Sequence, residues 1–98
     1  MKIRAKVNIS GRVIMVGFRA TCEAKAKELA VTGWVKNKIE SWPIIGKGEV
    51  EAVFEGDKEA VYKLVNWCKN GSTLAHIDKV DVEYGKATGE FTDFEIKY

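Results

Sequence analysis

The chain has 98 residues, which is enough for one hydrophobic core and predicts a single domain over residues 1–98. Its composition, 46% hydrophobic and 31% charged, is that of an ordinary globular protein. A net charge of +2 is too weak to indicate nucleic-acid or membrane binding. The basic residues among the first dozen positions exclude a secretory signal, so we expect a cytoplasmic protein.

Residues 3–13 predict the first strand, because apolar and polar side chains alternate there without a fault. The positions that share the apolar face are Ile3, Ala5, Val7, Ile9, Gly11 and Val13. From Ala20 the apolar period becomes that of a helix. Its apolar stripe contains Cys22, Ala26, Leu29 and Ala30. Gly33 is then expected to end this helix.

Two strands follow, the first around Trp34, Val35 and Ile39 and the second over residues 49–55. A second helix is predicted after Asp57, a plausible N-cap, and it ends at Asn70-Gly71. The apolar stripe of this helix is Val61, Leu64, Val65 and Cys68.

A fourth strand contains Ala75, Ile77, Val80, Val82 and Tyr84, and its apolar phase slips between Ile77 and Val80, which predicts a bulge. Phe94, Ile96 and Tyr98 form a short fifth strand. The order β-α-β-β-α-β plus a terminal strand predicts an α+β, ferredoxin-like sandwich: an antiparallel sheet with two helices on one face.

The junction between the first strand and the first helix is the strongest functional signal. Such a junction directs backbone N–H groups and the positive end of a helix at one point, where anions bind. Met15, Val16, Gly17 and Phe18 would supply the amides, and the guanidinium of Arg19 can bind a phosphate through two hydrogen bonds. In this topology the first two strands end at the same edge of the sheet, so Asn37 is expected near Arg19.

Six motifs, in order along nearly the whole chain, resemble those of the acylphosphatase family. They are Gly11-x-Val13 with Gly17-Phe18-Arg19, then Gly33-Trp34-Val35-Lys36-Asn37, Gly48-x-Val50-Glu51, Glu55-Gly56, Ala75-x-Ile77-x-x-Val80, and Phe91-x-x-Phe94-x-Ile96-x-Tyr98. The resemblance implies an enzyme that hydrolyses the carboxyl-phosphate bond of small acyl phosphates. By the same resemblance Arg19 binds the phosphoryl group and Asn37 positions the attacking water. Neither a metal nor a cofactor is implied.

The chain departs from this family at two places. Ile14-Met15 stands where the family usually has Gln-Gly, and a methionine at a position of positive φ costs roughly 1–2 kcal/mol. Residues 40–46 lengthen a hairpin that is usually tight and bring the apolar side chains of Trp42, Ile44 and Ile45. This insertion is interpreted as a lid over the site, a plain hairpin extension packed on the sheet, or a self-association patch.

Other properties remain open at the level of sequence. Cys22 and Cys68 are expected at the same edge of the sandwich, and a disulfide between them is left undecided. A monomer is expected unless the insertion drives self-association. The alternative function is a non-catalytic domain of this fold that binds an anion or a protein partner. RNA binding is excluded, because Glu49 and Glu51 occupy strand positions where aromatic side chains would stack on bases.

Overall fold

The structure is a computed structural model, and it describes residues 1–13, 17–38, 47–70 and 75–97. These ranges contain five strands and two helices. In chain order they are β1 Lys2–Arg12, α1 Phe18–Glu28, β2 Thr32–Asn37, β3 Lys47–Asp57, α2 Lys58–Asn70, β4 His76–Lys86 and β5 Phe94–Lys97. The element order predicted from the sequence is confirmed. Within the described ranges, no helix is long and apolar enough to cross a membrane.

The five strands form one sheet in the order β4-β1-β3-β2-β5. The neighbours β4-β1, β1-β3 and β3-β2 pair antiparallel, as expected, whereas β5 pairs parallel to β2. The ferredoxin-like class is therefore confirmed, with a sheet that is mixed at one margin. The reason is the route of the chain: residues 87–93 carry it from the end of β4 past the sheet, so β5 enters beside β2 in the same direction.

Both helices pack on one face of the sheet, and that face carries the hydrophobic core. The alternation of β1 holds, because Ala5, Val7 and Ile9 are fully buried there while the residues between them face the other side. The apolar stripe predicted for α2 is buried along its whole length. We call the face that carries no helix the open face.

Helix α1 begins and ends differently from the sequence prediction. It begins at Phe18 rather than Ala20, and it ends at Glu28, before Gly33. Ala30 takes the left-handed conformation (φ 57°), with the Val31 N–H donating to the carbonyl of Ala26, which is a Schellman ending. Gly33 was therefore wrongly assigned as the helix stop. It lies in β2 at φ 134°, where a Cβ would stand 1.9 Å from a carbonyl oxygen of β3.

The bulge predicted in β4 is present. Ser10 pairs with Lys79 and Gly11 pairs with Ile77, so Asp78 is the extra residue. The close approach explains the glycine of β1, since a Cβ at Gly11 would lie 2.1 Å from the carbonyl oxygen of His76. The fold thus bends β4 toward β1 at the point where β1 ends.

At the opposite end of the sheet, a buried carboxylate holds the connection between β4 and β5. Glu55, on β3, accepts the backbone N–H groups of Thr88 and Gly89, each at 3.0 Å, and the Thr88 hydroxyl at 2.9 Å. The Arg4 guanidinium donates to the same carboxylate at 2.8 Å. We call these four residues the Glu55 clasp.

The clasp changes the acidity of its own carboxylate. Burial acts to raise the pKa of Glu55, but the hydrogen bonds from Thr88, Arg4 and Gly89 outweigh it and hold the pKa below its usual value. A charged carboxylate is therefore favoured in the folded state. Glu55 belongs to one of the sequence motifs, but nothing in the sequence near it indicates this role.

Candidate active site

One edge of the sheet brings together the segments that the sequence analysis selected. β1 and β2 both pair antiparallel with β3, so they run parallel to each other and end at the same edge. α1 begins there, and α2 ends there with Asn70. We call this the site edge, and the opposite end, where the Glu55 clasp lies, the far edge. The expected meeting of the two strand ends is therefore present.

The first turn of α1 is held at this edge by its backbone. Gly17, which precedes the helix, is left-handed (φ 76°, ψ 15°), a conformation that glycine adopts without a steric cost. The N–H and the hydroxyl of Thr21 donate to the Gly17 carbonyl at 3.0 and 2.8 Å. Phe18 is 1% exposed, and half-buried Arg19 follows it directly. These hydrogen bonds fix the first turn of α1, and with it the first backbone amides of the helix, at the site edge.

Asn37 is the last residue of β2, opposite Val50 of β3. Val50 is a core residue, so Asn37 lies on the helix face, the side of the sheet on which α1 begins. Its Oδ1 atom is buried, and no donor among the described residues satisfies it. Most buried polar atoms in proteins have a partner, and Oδ1 of Asn8, on the open face, is the other buried side-chain atom of the described residues without one.

The structure brings Arg19 and Asn37 to one edge and one face of the sheet, and Gly17 and Phe18 lie between β1 and Arg19 as expected. Met15 and Val16 lie outside the described residues. So do Ile14, Ile39, the 40–46 insertion with its three proposed roles, Gly71 and Tyr98. Within the part of the chain that the structure describes, no group of three His, Cys, Asp or Glu side chains is placed to hold a metal ion.

Several basic side chains lie at the site edge among the described residues. Arg19 is in the first turn of α1, and Lys38 follows β2 with its N–H donating to the carbonyl of Glu49 at 3.0 Å. Lys69 lies in the last turn of α2. These side chains place positive charge close to the start of α1.

The two cysteines are free, and both are fully buried between the helices. The hydrogen bond with Cys22 and the burial of the site raise the pKa of the Cys68 thiol well above its usual value. The expectation that they lie together is therefore met, and the structure contains no disulfide between them.

Trp67, on α2, received no role in the sequence analysis. Its ring lies 5.3 Å from the ring of Phe18, with the two planes tilted by 32°. The signal that could have found it is its position one residue before Cys68, at the end of α2 that reaches the site edge.

Comparisons with known proteins agree with this architecture and decide the family. The family model for acylphosphatases matches residues 5–96. The chain belongs to the acylphosphatase family. It is 47% identical over 93 residues to an acylphosphatase of Roseiflexus sp., covering 95% of this chain and 92% of that protein. With an acylphosphatase of Geobacter sulfurreducens it shares 44% identity over 98 residues, the full length of both.

The solved structures support the same assignment. The crystal structure of acylphosphatase from Bacillus subtilis superposes with a TM-score of 0.87 at 29% identity, over 98% of this chain and 99% of that one. The likeness extends to the terminal strand, so the whole described sandwich is that of the family. The chain is accordingly an enzyme of the acyl phosphate hydrolase type.

Proposed function

We propose that this chain hydrolyses the carboxyl-phosphate bond of small acyl phosphates at the site edge, with Arg19 and Asn37 as its catalytic residues. The single observation that carries the proposal is the buried Oδ1 of Asn37, on the face where α1 begins, which no donor among the described residues satisfies. Such an acceptor is suited to accept a hydrogen bond from a water molecule.

The phosphoryl group binds at the start of α1. The guanidinium of Arg19 donates two hydrogen bonds to phosphoryl oxygens, and the backbone amides of residues 15–19 donate to the others. These donors stabilise the negative charge that the phosphoryl oxygens carry in the transition state. Lys38 and Lys69, which lie at the same edge, add to the attraction for a dianion.

Asn37 orients the nucleophile. Its carboxamide does not accept a proton at neutral pH, but it accepts one hydrogen bond from a water and so aims the oxygen at phosphorus. The bond from that oxygen to phosphorus forms while the bond from phosphorus to the acyl oxygen breaks. The carboxylate leaves without a general acid, because it is a weak base. The water's proton passes to a phosphoryl oxygen, and the products are carboxylate and inorganic phosphate.

The decisive experiment compares Arg19→Ala with a matched arginine at the same edge. Arg12 is exposed at the end of β1 and is assigned no part in the reaction. Acetyl phosphate turnover should fall by about 10²–10³-fold in Arg19→Ala, as when a transition-state donor is removed. Arg12→Ala should stay within about threefold of wild type, because an exposed charge is screened by salt.

Two outcomes would overturn the assignment. Equal losses in the two variants would mean that only the general charge of the edge matters. A wild type without turnover that still binds inorganic phosphate by calorimetry would favour the non-catalytic, anion-binding alternative.

The proposal includes the setting of the reaction. The substrate is a small molecule, and the enzyme acts as a single-domain monomer in the cytoplasm without nucleic acid. The free state of the buried cysteine pair agrees with a reducing compartment. Light scattering tests the monomer, and a dimer that dissociates on deletion of residues 40–46 would instead favour the self-association patch.

A further inference from the structure

Helix α1 depends on a single large side chain for its packing, and that side chain, Phe18, lies next to Arg19. The helix has 11 residues and buries three of them: Phe18, Cys22 and Ala26. Two of these side chains are small, so Phe18 provides most of the apolar contact that fixes the helix. Burying a phenylalanine contributes about 1.5–3 kcal/mol, several times more than an alanine. The orientation of the first turn therefore depends mainly on what the Phe18 ring packs against.

The Phe18 ring packs against Trp67. The two centroids are 5.3 Å apart with a tilt of 32°, within the range of favourable aromatic pairs. Trp67 is half-buried and packs against the same core cluster as Phe18. Such a contact holds the ring of Phe18 from the side of α2.

Helix α2 is a firm support for this contact. It buries Val61, Leu64, Val65 and Cys68, and it packs on β1, β3 and β4 at the centre and margin of the sheet. α1 packs on β2 and β5, the latter a strand of only four residues. Trp67 thus extends from the better-anchored helix to the less well-anchored one, at the site edge.

We propose that Trp67 is a positioning residue, which fixes Phe18 and through it the adjacent guanidinium of Arg19 for binding the phosphoryl group. The inference rests on the proposed function, because it concerns the same phosphate-binding turn. Trp67 itself touches neither substrate nor water in this role. A displacement of about 1 Å costs up to about 10²-fold in rate, so a smaller tilt of the first turn should be measurable.

The test uses two variants at Trp67 and one control. Trp67→Leu removes the ring but keeps an apolar side chain, and Trp67→Phe restores an aromatic contact. Phe94→Leu disrupts the second aromatic pair of the core, Phe54–Phe94 at 5.9 Å, which lies toward the far edge beside Gly33. Melting temperature, kcat and KM for acetyl phosphate, and the inhibition constant of inorganic phosphate are measured for each.

We expect Trp67→Leu to raise KM and the phosphate inhibition constant by about tenfold while kcat changes less, since Asn37 is untouched. Trp67→Phe should return both constants to within about threefold of wild type. Phe94→Leu should lower the melting temperature at least as much yet leave both constants unchanged. If Trp67 had a purely structural role, Trp67→Leu would behave like Phe94→Leu: the melting temperature would fall, and KM and the phosphate inhibition constant would not change.

Unchanged phosphate affinity in Trp67→Leu would overturn the inference, and so would a failure of Trp67→Phe to improve on it. If Trp67→Leu does not fold, Trp67→Met, which also lacks a ring but keeps an apolar side chain, takes its place, and a phosphate inhibition constant at wild-type level in that variant overturns the inference equally. The proposed function is tested separately by wild type and Arg19→Ala. Loss of turnover in Arg19→Ala with full phosphate affinity in Trp67→Leu would refute the positioning role alone.

Discussion

The far edge and the site edge of this sheet differ in how a buried side-chain oxygen is hydrogen-bonded. At the far edge the Glu55 carboxylate receives hydrogen bonds from two backbone amides, a hydroxyl and a guanidinium. At the site edge Oδ1 of Asn37 receives none from the described residues. The first arrangement stabilises the fold, whereas the second leaves the acceptor that the proposed mechanism assigns to a water molecule.

The same contrast runs through the connections at the two edges. The 87–93 connection is fastened to β3 at the far edge by the clasp, and Glu90 adds a second carboxylate at 2.9 Å from the Arg4 guanidinium. At the site edge α1 begins directly after Gly17, which is left-handed, and its first backbone amides follow. The clasp thus lies at the opposite end of the sheet from the residues that the proposed function uses.

The strongest test of this contrast is a pair of asparagines. Asn8, on the open face of β1, also has a buried Oδ1 without a described partner, but it lies away from α1. Asn37→Ala should lower kcat by about 10²-fold with KM little changed, because it removes the water-orienting group. Asn8→Ala should leave both constants within about twofold. Acetyl phosphate kinetics and urea denaturation of both variants make the comparison.

Stability should respond differently from activity. Removing an unsatisfied buried acceptor relieves a desolvation cost, so neither alanine variant should lose more than about 1 kcal/mol of unfolding free energy. A large drop in kcat for Asn8→Ala as well would mean that the site edge is not special.

The converse prediction concerns the clasp. Glu55→Gln should lower the unfolding free energy by about 1–3 kcal/mol, since it loses the charge-assisted bond from Arg4 and weakens those from Thr88 and Gly89. Glu51→Gln is the matched control, because Glu51 is on the same strand and face with one ion pair to Lys36 at 3.7 Å. That variant should change by less than about 1 kcal/mol. Neither variant should alter kcat, and a loss of turnover in Glu55→Gln would break the separation of the two edges.

Sequence periodicity was sufficient to predict the helices and strands but not the residues at which they end. The alternation of β1 and the stripe of α2 are local signals, and both were correct. Gly33 was misassigned because a glycine after a helical stripe reads as a helix stop, whereas this one permits the backbone approach of β3. The actual stop, Ala30, carries no such signal.

The parallel pairing of β5 depends on a longer-range interaction. Glu55 and Thr88 are 33 residues apart, and nothing local to either residue indicates their hydrogen bonds. The site edge was more predictable, because the direction of β1 and β2 follows from the element order alone. The state of the Asn37 oxygen could not be predicted, since it depends on which donors surround it after folding.

The pH dependence of stability should separate the two edges further. The pKa of Glu55 is lowered in the folded state, so its contribution is complete above its ordinary pKa of about 4.3 and is lost as pH falls through the folded value. Wild type should therefore lose unfolding free energy more steeply than Glu55→Gln below about pH 4.3. Arg4, which pairs with Glu55, and Glu90, which pairs with Arg4, are unchanged in both proteins. Urea denaturation at constant ionic strength between pH 6 and 3 measures this, and parallel curves would contradict the clasp's role.

The last prediction concerns the part of the core that lies directly beneath the site edge. Cys22 lies one helical turn after Phe18, and Cys68 follows Trp67, so the thiol pair is directly below the aromatic contact. Both thiols are buried, and the pKa of Cys68 is raised, so little thiolate is exposed to a reagent. Ellman's reagent should react with the native protein on the order of 10³-fold slower than with the urea-unfolded protein.

The Trp67→Leu variant offers the matched comparison, because loss of the indole ring should loosen the first turn of α1. The thiols of that variant should react several-fold faster than those of wild type while remaining slower than in urea. Rapid reaction of the native wild type would instead show that the helices separate readily below the site edge. In that case the core beneath the site edge would not support the first turn of α1, and that turn could not hold Arg19 in one orientation.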